Sequence, residues 1–253
     1  MTMSLQDIAW HRAVGQMIDA LDQPNFWTQL VRLLDQYVPS DSWVALLFSS
    51  EHRPLVFAEC PGADGTPDHL FQDYLNGLYL LDPFYIASRE HARTGLLRLA
   101  EVAPEHFELT EYYQRYFRLN VVADEIQFNC HLPDGRTLCL SLGSKQRFDP
   151  QQIALLSLIQ PWVVSLLRQR LPYELSQVST PQPIQTDDWG AQLTVRELDV
   201  GRLMLSGCSS KEIARKLEIS VETVKVHKKH IYSKLGIKSQ SELFSIFLQA
   251  QNA

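Results

Sequence analysis

The chain has no Cys-x-x-Cys pair and no Cys/His grouping at zinc-ligand spacing; Cys60, Cys130, Cys139 and Cys208 stand apart. That excludes a zinc finger and a dithiol redox motif, and it favours buried, reduced thiols. Nor is there a Gly-rich phosphate loop, a Gly-x-Ser-x-Gly elbow or a His-Glu-x-x-His helix. Those absences leave nucleotide hydrolysis, acyl transfer and zinc proteolysis without a seat, so the chain reads as a non-enzyme that needs no cofactor and no metal. With 11 Gly, 13 Pro and 45% hydrophobic residues, it is neither collagen-like nor disordered. Internal repeats are absent. Long apolar runs are scarce as well. The one long uncharged stretch, Gln151–Leu167, holds three glutamines, two serines and Pro161. As a helix it would span only about 26 Å, short of a hydrocarbon core of roughly 30 Å. Near the N-terminus, Asp7, Trp10-His11-Arg12 and Asp19 interrupt any signal-peptide core. The expectation is a soluble, cytoplasmic protein with no membrane partner.

What is present is an uneven distribution of charge. The 253 residues carry a net charge of −6, which taken alone argues against nucleic acid. Residues 1–190 hold 13 Lys+Arg against 23 Asp+Glu, whereas residues 191–253 hold 10 against 6. An acidic body is therefore joined to a basic C-terminal segment, and at roughly 100–200 residues per domain the length suits two domains.

The body reads as α+β. Two helices over 5–37 are split at Asp22-Gln23-Pro24, because proline starts a helix more readily than it sits inside one. Trp43–Phe48 and Leu55–Cys60 read as paired strands, and 61–67 as a loop. Residues 68–118 read as mostly helical and hold 10 of the chain's 20 Phe and Tyr residues. A second strand pair, Glu125–Leu132 and Arg136–Leu142, alternates in Ile126/Phe128/Cys130/Leu132 and Leu138/Leu140/Leu142 around a Pro133-Asp134-Gly135 turn. A helix over 149–170 follows, with Trp162 and Leu166 on an apolar side that suits either sheet cover or a dimer surface. The fold class expected is an antiparallel sheet flanked by helices, an α/β/α sensor of PAS or GAF type. Residues 1–172 form this sensing domain, 173–190 a polar, Pro-containing linker, and 191–253 a second, four-helix domain.

In that last segment, Thr194-x-x-Glu197, Ser209-x-x-Glu212 and Ser239-x-x-Glu242 spell capping boxes, Ser220 is a further cap, and Gly207 and Gly236 stand where helices end. Helices are expected over about 194–206, 209–217, 220–235 and 239–250. The second and third are joined by only Glu218-Ile219-Ser220, which defines a helix-turn-helix. On the third helix, Lys225, Val226 and Lys229 fall within about 60° of Glu222, opposite Val224, Ile231 and Leu235. Lysine donating to guanine, glutamate accepting from cytosine and valine touching a thymine methyl fit a major groove. His227 and His230 lack the further ligands of a metal site, so packing is the expected role.

These residues resemble the DNA-binding domain of LuxR/NarL-type transcription regulators. The pattern is carried by Leu193-Thr194-x-Arg196-Glu197, Gly207-x-Ser209-x-Lys211-Glu212-Ile213-Ala214, Leu217-x-Ile219-Ser220, Thr223-Val224-Lys225-Val226-His227 and Lys234-Leu235-Gly236. The resemblance implies that Lys225, Val226 and Lys229 enter the major groove of double-stranded DNA and that Thr223 and Lys211 reach phosphates. Lys228 and Lys234 add attraction to the backbone. A palindromic site read by two such helices implies a homodimer.

Upstream, Tyr74-x4-Tyr79-x2-Asp82-Pro83 is similar to the autoinducer-binding domain of quorum-sensing LuxR proteins, in which tyrosines, a Trp and the Asp of an Asp-Pro pair line a small-molecule pocket. By that resemblance Phe71, Tyr74, Tyr79, Asp82, Phe84 and Tyr85 surround a ligand. Leu70 stands where the family has a pocket Trp, the spacing from second Tyr to Asp is one residue short, and no Trp occurs between Trp43 and Trp162. These departures weigh against an acyl-homoserine lactone. An ionised Asp82 among aromatic rings selects instead a small amine- or amide-bearing molecule. The alternatives are a lactone receptor and a partner-sequestering anti-activator without its own DNA target. Tyr112, Tyr113, Tyr116 and Phe117, at i, i+1, i+4 and i+5, read as one core-facing helix side.

Overall fold

The computed structural model describes residues 8–60, 69–121, 123–177 and 190–251. The expected loop at 61–67 and most of the linker lie outside the described residues. The chain divides into two compact units, and the division does not follow chain order.

The first unit is built on helices α1 (Ile8–Asp19) and α2 (Phe26–Asp35), with the break at Asp22–Pro24 where proline placed it. Strands β1 (Ser42–Phe48) and β2 (Leu55–Glu59) pair antiparallel, as do β4 (Asp124–His131) and β5 (Thr137–Ser144). The Pro133–Gly135 turn closes as expected. Gly135 takes φ +83°, its N–H donates to the Leu132 carbonyl, and the Arg136 guanidinium grips Asp134 at 2.7 Å. One strand was not anticipated. β3 (Gly95–Arg98) lies inside the stretch read as mostly helical and pairs with β4, giving a five-stranded sheet of order β2-β1-β5-β4-β3. Four residues are too few to display alternation.

Alternation sends Ala45, Leu47, Ile126, Phe128, Cys130, Leu138, Leu140 and Leu142 into one core with α1, α2 and α7 (Pro150–Gln177). Cys130 is paired with Leu138 and Cys139 with Asn129, so the two thiols stand on opposite faces of the sheet, both buried and neither in a disulfide. Helix α7 runs past the expected end at 170, and with 28 residues it is long and apolar enough by composition to cross a membrane. The sequence argument from length therefore fails. Its inner side is nevertheless committed to the sheet, since Leu156, Ile159, Val163, Leu166 and Leu167 all join the core. That resolves Leu166 as sheet cover rather than dimer surface. Pro161 and Pro172 sit eleven residues apart on the exposed side. The carbonyls their rings leave without a donor, on Ser157 and Arg168, belong to exposed residues open to solvent, which lets the helix continue. Buried on the inner side, Arg170 donates to Glu174 at 2.7 Å and to the Leu21 and Gln23 carbonyls, while the Trp27 indole donates to the same Glu174 oxygen at 2.6 Å. Every partner in that network is satisfied by another, which pins the α1–α2 turn to α7.

The second unit gathers α3 (His69–Leu75), a 3-10 turn at Leu78–Leu81, the start of α4 (Pro83–Glu90), the end of α5 (Leu99–Val102) and turns at Phe107–Leu109 and Tyr113–Phe117. It also holds α6 (Arg118–Asn120) and the C-terminal helices α8 (Val195–Leu205), α9 (Ser210–Lys216), α10 (Val221–Leu235) and α11 (Gln240–Gln251). The four C-terminal helices match the four expected from capping chemistry.

Candidate functional site

Two constellations in the second unit carry chemistry. The first is the helix-turn-helix. Thr194 and Ser209 each accept from the amide three residues on, and Glu197 and Glu212 reach back to the cap amides, so both capping boxes are complete. At Ser239 half of the box forms: the hydroxyl accepts from the Glu242 amide at 3.2 Å, while the Glu242 carboxylate takes the Lys238 amide and the Ser239 hydroxyl rather than the cap amide. Ser220 caps α10 through the Thr223 amide at 3.0 Å. The turn before it is held at Glu218, which adopts φ +53°, and the Leu217 carbonyl accepts from Arg196 at 2.6 Å. Arg196 was recognised as part of the motif but not as the strut of its turn.

Val224 and Ile231 are fully buried, and Glu222, Lys225, Val226 and Lys229 are exposed, with Val226 at 50%. The structure thus brings together the four side chains that periodicity had placed on one stripe. The Glu222 carboxylate holds the Lys225 ammonium at 2.8 Å, a solvent-exposed pair that adds little to stability. Lys211 is exposed at the start of α9, and Thr223 is partly covered. Lys228 is half-buried, and burial pulls its ammonium below the usual lysine range. Lys234 has another occupation. Its ammonium lies 2.6 Å from Glu197, whose carboxylate is only 4% exposed and also receives the Thr194 amide and hydroxyl. Those bonds, led by Lys234, hold the Glu197 carboxyl down at about 2. His227 buries Nδ1 without a hydrogen-bond partner among the described residues, and His230 lies 3.8 Å from Glu197. No metal-holding group of three or more His, Cys, Asp or Glu occurs among the described residues.

Glu197→Ala is expected to destabilise the C-terminal helices by about 3 kcal/mol, at about 1.4 kcal/mol per pKa unit. Because the folded value is depressed, this contribution is complete above about pH 4.5 and is lost as pH falls toward 2. Urea unfolding at pH 7 and pH 3, parent against variant, measures it; the difference between the two proteins should shrink at the lower pH.

The second constellation surrounds Asp82. Its carboxylate is 3% exposed and accepts from the Tyr74 hydroxyl at 2.7 Å, from the Phe84 amide at 2.8 Å and from the Tyr85 amide. With Pro83 at the first helical position, Asp82 caps α4, a structural duty that the ligand resemblance did not supply. Burial outweighs these bonds and raises its carboxyl to about 6. The same burial, with Asp82 beside it, raises the Tyr74 phenol well above its ordinary range.

Around the pair the rings form a wall. Tyr74 stacks on Phe71 at 5.7 Å and on Tyr116 at 5.2 Å, and Tyr85 meets Tyr79 edge-on at 5.1 Å. The set read as a ligand pocket and the set read as a core-facing helix side are therefore in contact through Tyr74 and Tyr116. The reason is a π-helical turn at Tyr113–Phe117, which no sequence period announces. That turn also meets the C-terminal helices. The Arg115 guanidinium lies 4.8 Å over the Phe244 ring, Ser241 donates to Glu111 at 2.7 Å, the Glu105 amide donates to Glu212, and Gly207 presses its bare Cα against Thr110. Gly207 takes φ +81°, and a methyl there would overlap Thr110.

Comparison with known proteins accords with this arrangement. Residues 191–247 match the family "Bacterial regulatory proteins, luxR family". An HTH-type transcriptional regulator in the exeN 3′ region of Aeromonas salmonicida is 33% identical over 183 residues, covering 66% of this chain and 93% of that protein. The monoamine regulon transcriptional regulator of Klebsiella aerogenes is 27% identical over 179 residues, covering 70% of this chain and 72% of that protein. Among solved structures, the VqsR LBD domain from Pseudomonas aeruginosa is 46% identical with a TM-score of 0.60, covering 66% of this chain and 99% of that one. A helix-turn-helix with its recognition stripe exposed, joined to an α+β body shared with such relatives, makes this chain a member of the luxR family of bacterial transcription regulators.

Proposed function

We propose that this regulator is a cytoplasmic homodimer that binds a small amine- or amide-bearing molecule through residues 1–172 and reads a palindromic DNA site through residues 191–253. Its only chemistry is binding. Lys225, Val226, Lys229 and Glu222 face base edges, while Thr223, Lys211 and Lys228 meet phosphates. Lys234 acts through Glu197, as the fastening of α10 to the cap of α8. Two subunits are needed because one recognition helix covers only a few base pairs.

The observation that carries the ligand half is the state of Asp82. A carboxylate has about four acceptor positions, and Asp82 spends three on Tyr74, Phe84 and Tyr85. One position remains, deep among aromatic rings, where an ammonium or N–H donor recovers the cost of burying the charge. The name of the Klebsiella relative, a monoamine regulon regulator, supports the same chemical class. Tyr116 touches Tyr74 on one side of its turn, and the neighbouring Arg115 touches Phe244 on the other, which supports control of the helix-turn-helix from this site.

Titration calorimetry on the full chain tests the reading with phenethylamine, phenylacetamide and an acyl-homoserine lactone as probes. Binding of the amine or the amide, lost in Asp82→Asn, is the expected result. Tight binding of the lactone alone, insensitive to that substitution, would overturn it.

A further inference from the structure

Lys228 differs from the lysines on either side of it. Lys225, one turn back, and Lys229, next in the chain, are exposed, whereas Lys228 is partly covered. The helical period explains the difference. Val224 at i−4 and Ile231 at i+3 are fully buried, and Tyr232 at i+4 is partly covered. Lys228 therefore lies on the border between the packed side of α10 and its exposed stripe. A lysine so placed lays its methylene stem along apolar surface.

No carboxylate comes to meet its nitrogen. The Glu222 carboxylate holds Lys225 at 2.8 Å and the Glu197 carboxylate holds Lys234 at 2.6 Å. Glu242, whose charge bears on Tyr232, takes the Lys238 amide and the Ser239 hydroxyl. Lys228 itself has no ion pair or hydrogen bond among the described residues. Burial without an anion disfavours the charged form of an amine, and the Lys228 ammonium is lowered accordingly.

An amine held partly uncharged in this way is a better nucleophile at neutral pH than an exposed or carboxylate-paired lysine. The cations beside it select the electrophile. Lys225 and Lys229 favour a phosphorylated molecule by simple charge attraction, so the acyl donor that gathers here is one that carries a phosphate.

We infer that Lys228 is an acylation site, at which a small acyl phosphate transfers its acyl group to the side-chain amine. The neutral Nζ attacks the carbonyl carbon, and the bond from that carbon to the phosphate oxygen breaks. Inorganic phosphate leaves, and the nitrogen gives up a proton to solvent. The product is a neutral amide, so one positive charge is lost from the helix that carries the DNA-facing stripe. The effect on DNA rests on the reading of Lys228 as a phosphate contact. The acylation does not, so the two fail separately.

The test exposes the full chain to limiting acetyl phosphate, and peptide mass spectrometry reads the initial rate at each lysine. Near pH 7, Lys228 should be acetylated about fivefold or more faster than Lys225, Lys229 or Lys211, and the preference should narrow toward pH 10, where the other lysines also lose their protons. Lys228→Arg keeps the charge but is no nucleophile, and it should lower early acetyl uptake at lysine by roughly half or more. Parent chains acetylated at Lys228 should show a salt slope of DNA binding lower by about 1, a change the same treatment should not produce in Lys228→Arg. Lys228 modified no faster than the exposed lysines, or uptake unchanged in Lys228→Arg, overturns the inference. Selective acetylation of Lys228 with an unaltered salt slope upholds the acylation site and overturns the phosphate contact assigned to Lys228.

Discussion

Replacing Lys225 and Lys229 together by alanine is expected to weaken operator binding on the order of 1,000-fold, since each good base contact contributes about 1–3 kcal/mol. The stripe is exposed and its backing is not: Val224 and Ile231 are fully buried, so the two lysines can be removed without disturbing the helix that presents them. Fluorescence anisotropy on a recovered operator measures the loss, and circular dichroism should be unchanged. Lys211→Ala is the control for phosphate contact. It should weaken binding to all sequences alike and lower the salt slope by about 1. Lys234→Ala should behave differently from both. Its ammonium is paired with Glu197, so its effect should appear in thermal stability.

The second large effect belongs to Asp82→Asn and has two signs. Asp82 is buried with its carboxyl raised to about 6. The folded chain therefore holds this proton more tightly than the unfolded one, and the contribution to stability is complete below about pH 4 and lost as pH rises through 6. At about 1.4 kcal/mol per pKa unit the loss is on the order of 3 kcal/mol. Asparagine keeps an oxygen for the Phe84 amide and carries no charge, so the variant should lack this fall. Relative to the parent, its melting temperature should rise between pH 4 and pH 8. Ligand binding should move the other way. Removing one partner of a buried charge pair costs about 2–5 kcal/mol, or roughly 30- to 5,000-fold in affinity for an amine. In the parent, amine affinity should fall about tenfold per pH unit below 6; in the variant it should be flat. A more stable protein that binds less is the outcome a merely structural cap would not produce.

How much of this the sequence discloses differs between the two ends. The C-terminal helices were legible because their signals are local. Hydroxyl and carboxylate three residues apart mark each start, glycine marks two ends, and a 3.6-residue period sorts Lys225 from Val224. The sheet was legible where strands were long enough to alternate and failed at Gly95–Arg98, where they were not. Helix α7 was expected to end at 170 because the polar, Pro-containing text that follows reads as linker, whereas Pro172 on the exposed side does not stop the helix. At the candidate site, Tyr74 and Asp82 came from the resemblance, and the cap on Phe84 was available from Asp-Pro alone. Tyr116 is buried as its helix side implied, but its contact with Tyr74 was not legible, because a π-turn breaks the period that would have aimed it.

If a small molecule at the Asp82 site controls the helix-turn-helix, as proposed, operator affinity must follow that molecule. The direct measurement is operator affinity of the full chain by anisotropy as phenethylamine and phenylacetamide are titrated, parent against Asp82→Asn. The account predicts at least a tenfold change in operator affinity for the parent with one of these probes, and no change with phenethylamine for the variant. Operator affinity unmoved by either probe in the parent, or moved equally by phenethylamine in both proteins, would contradict it.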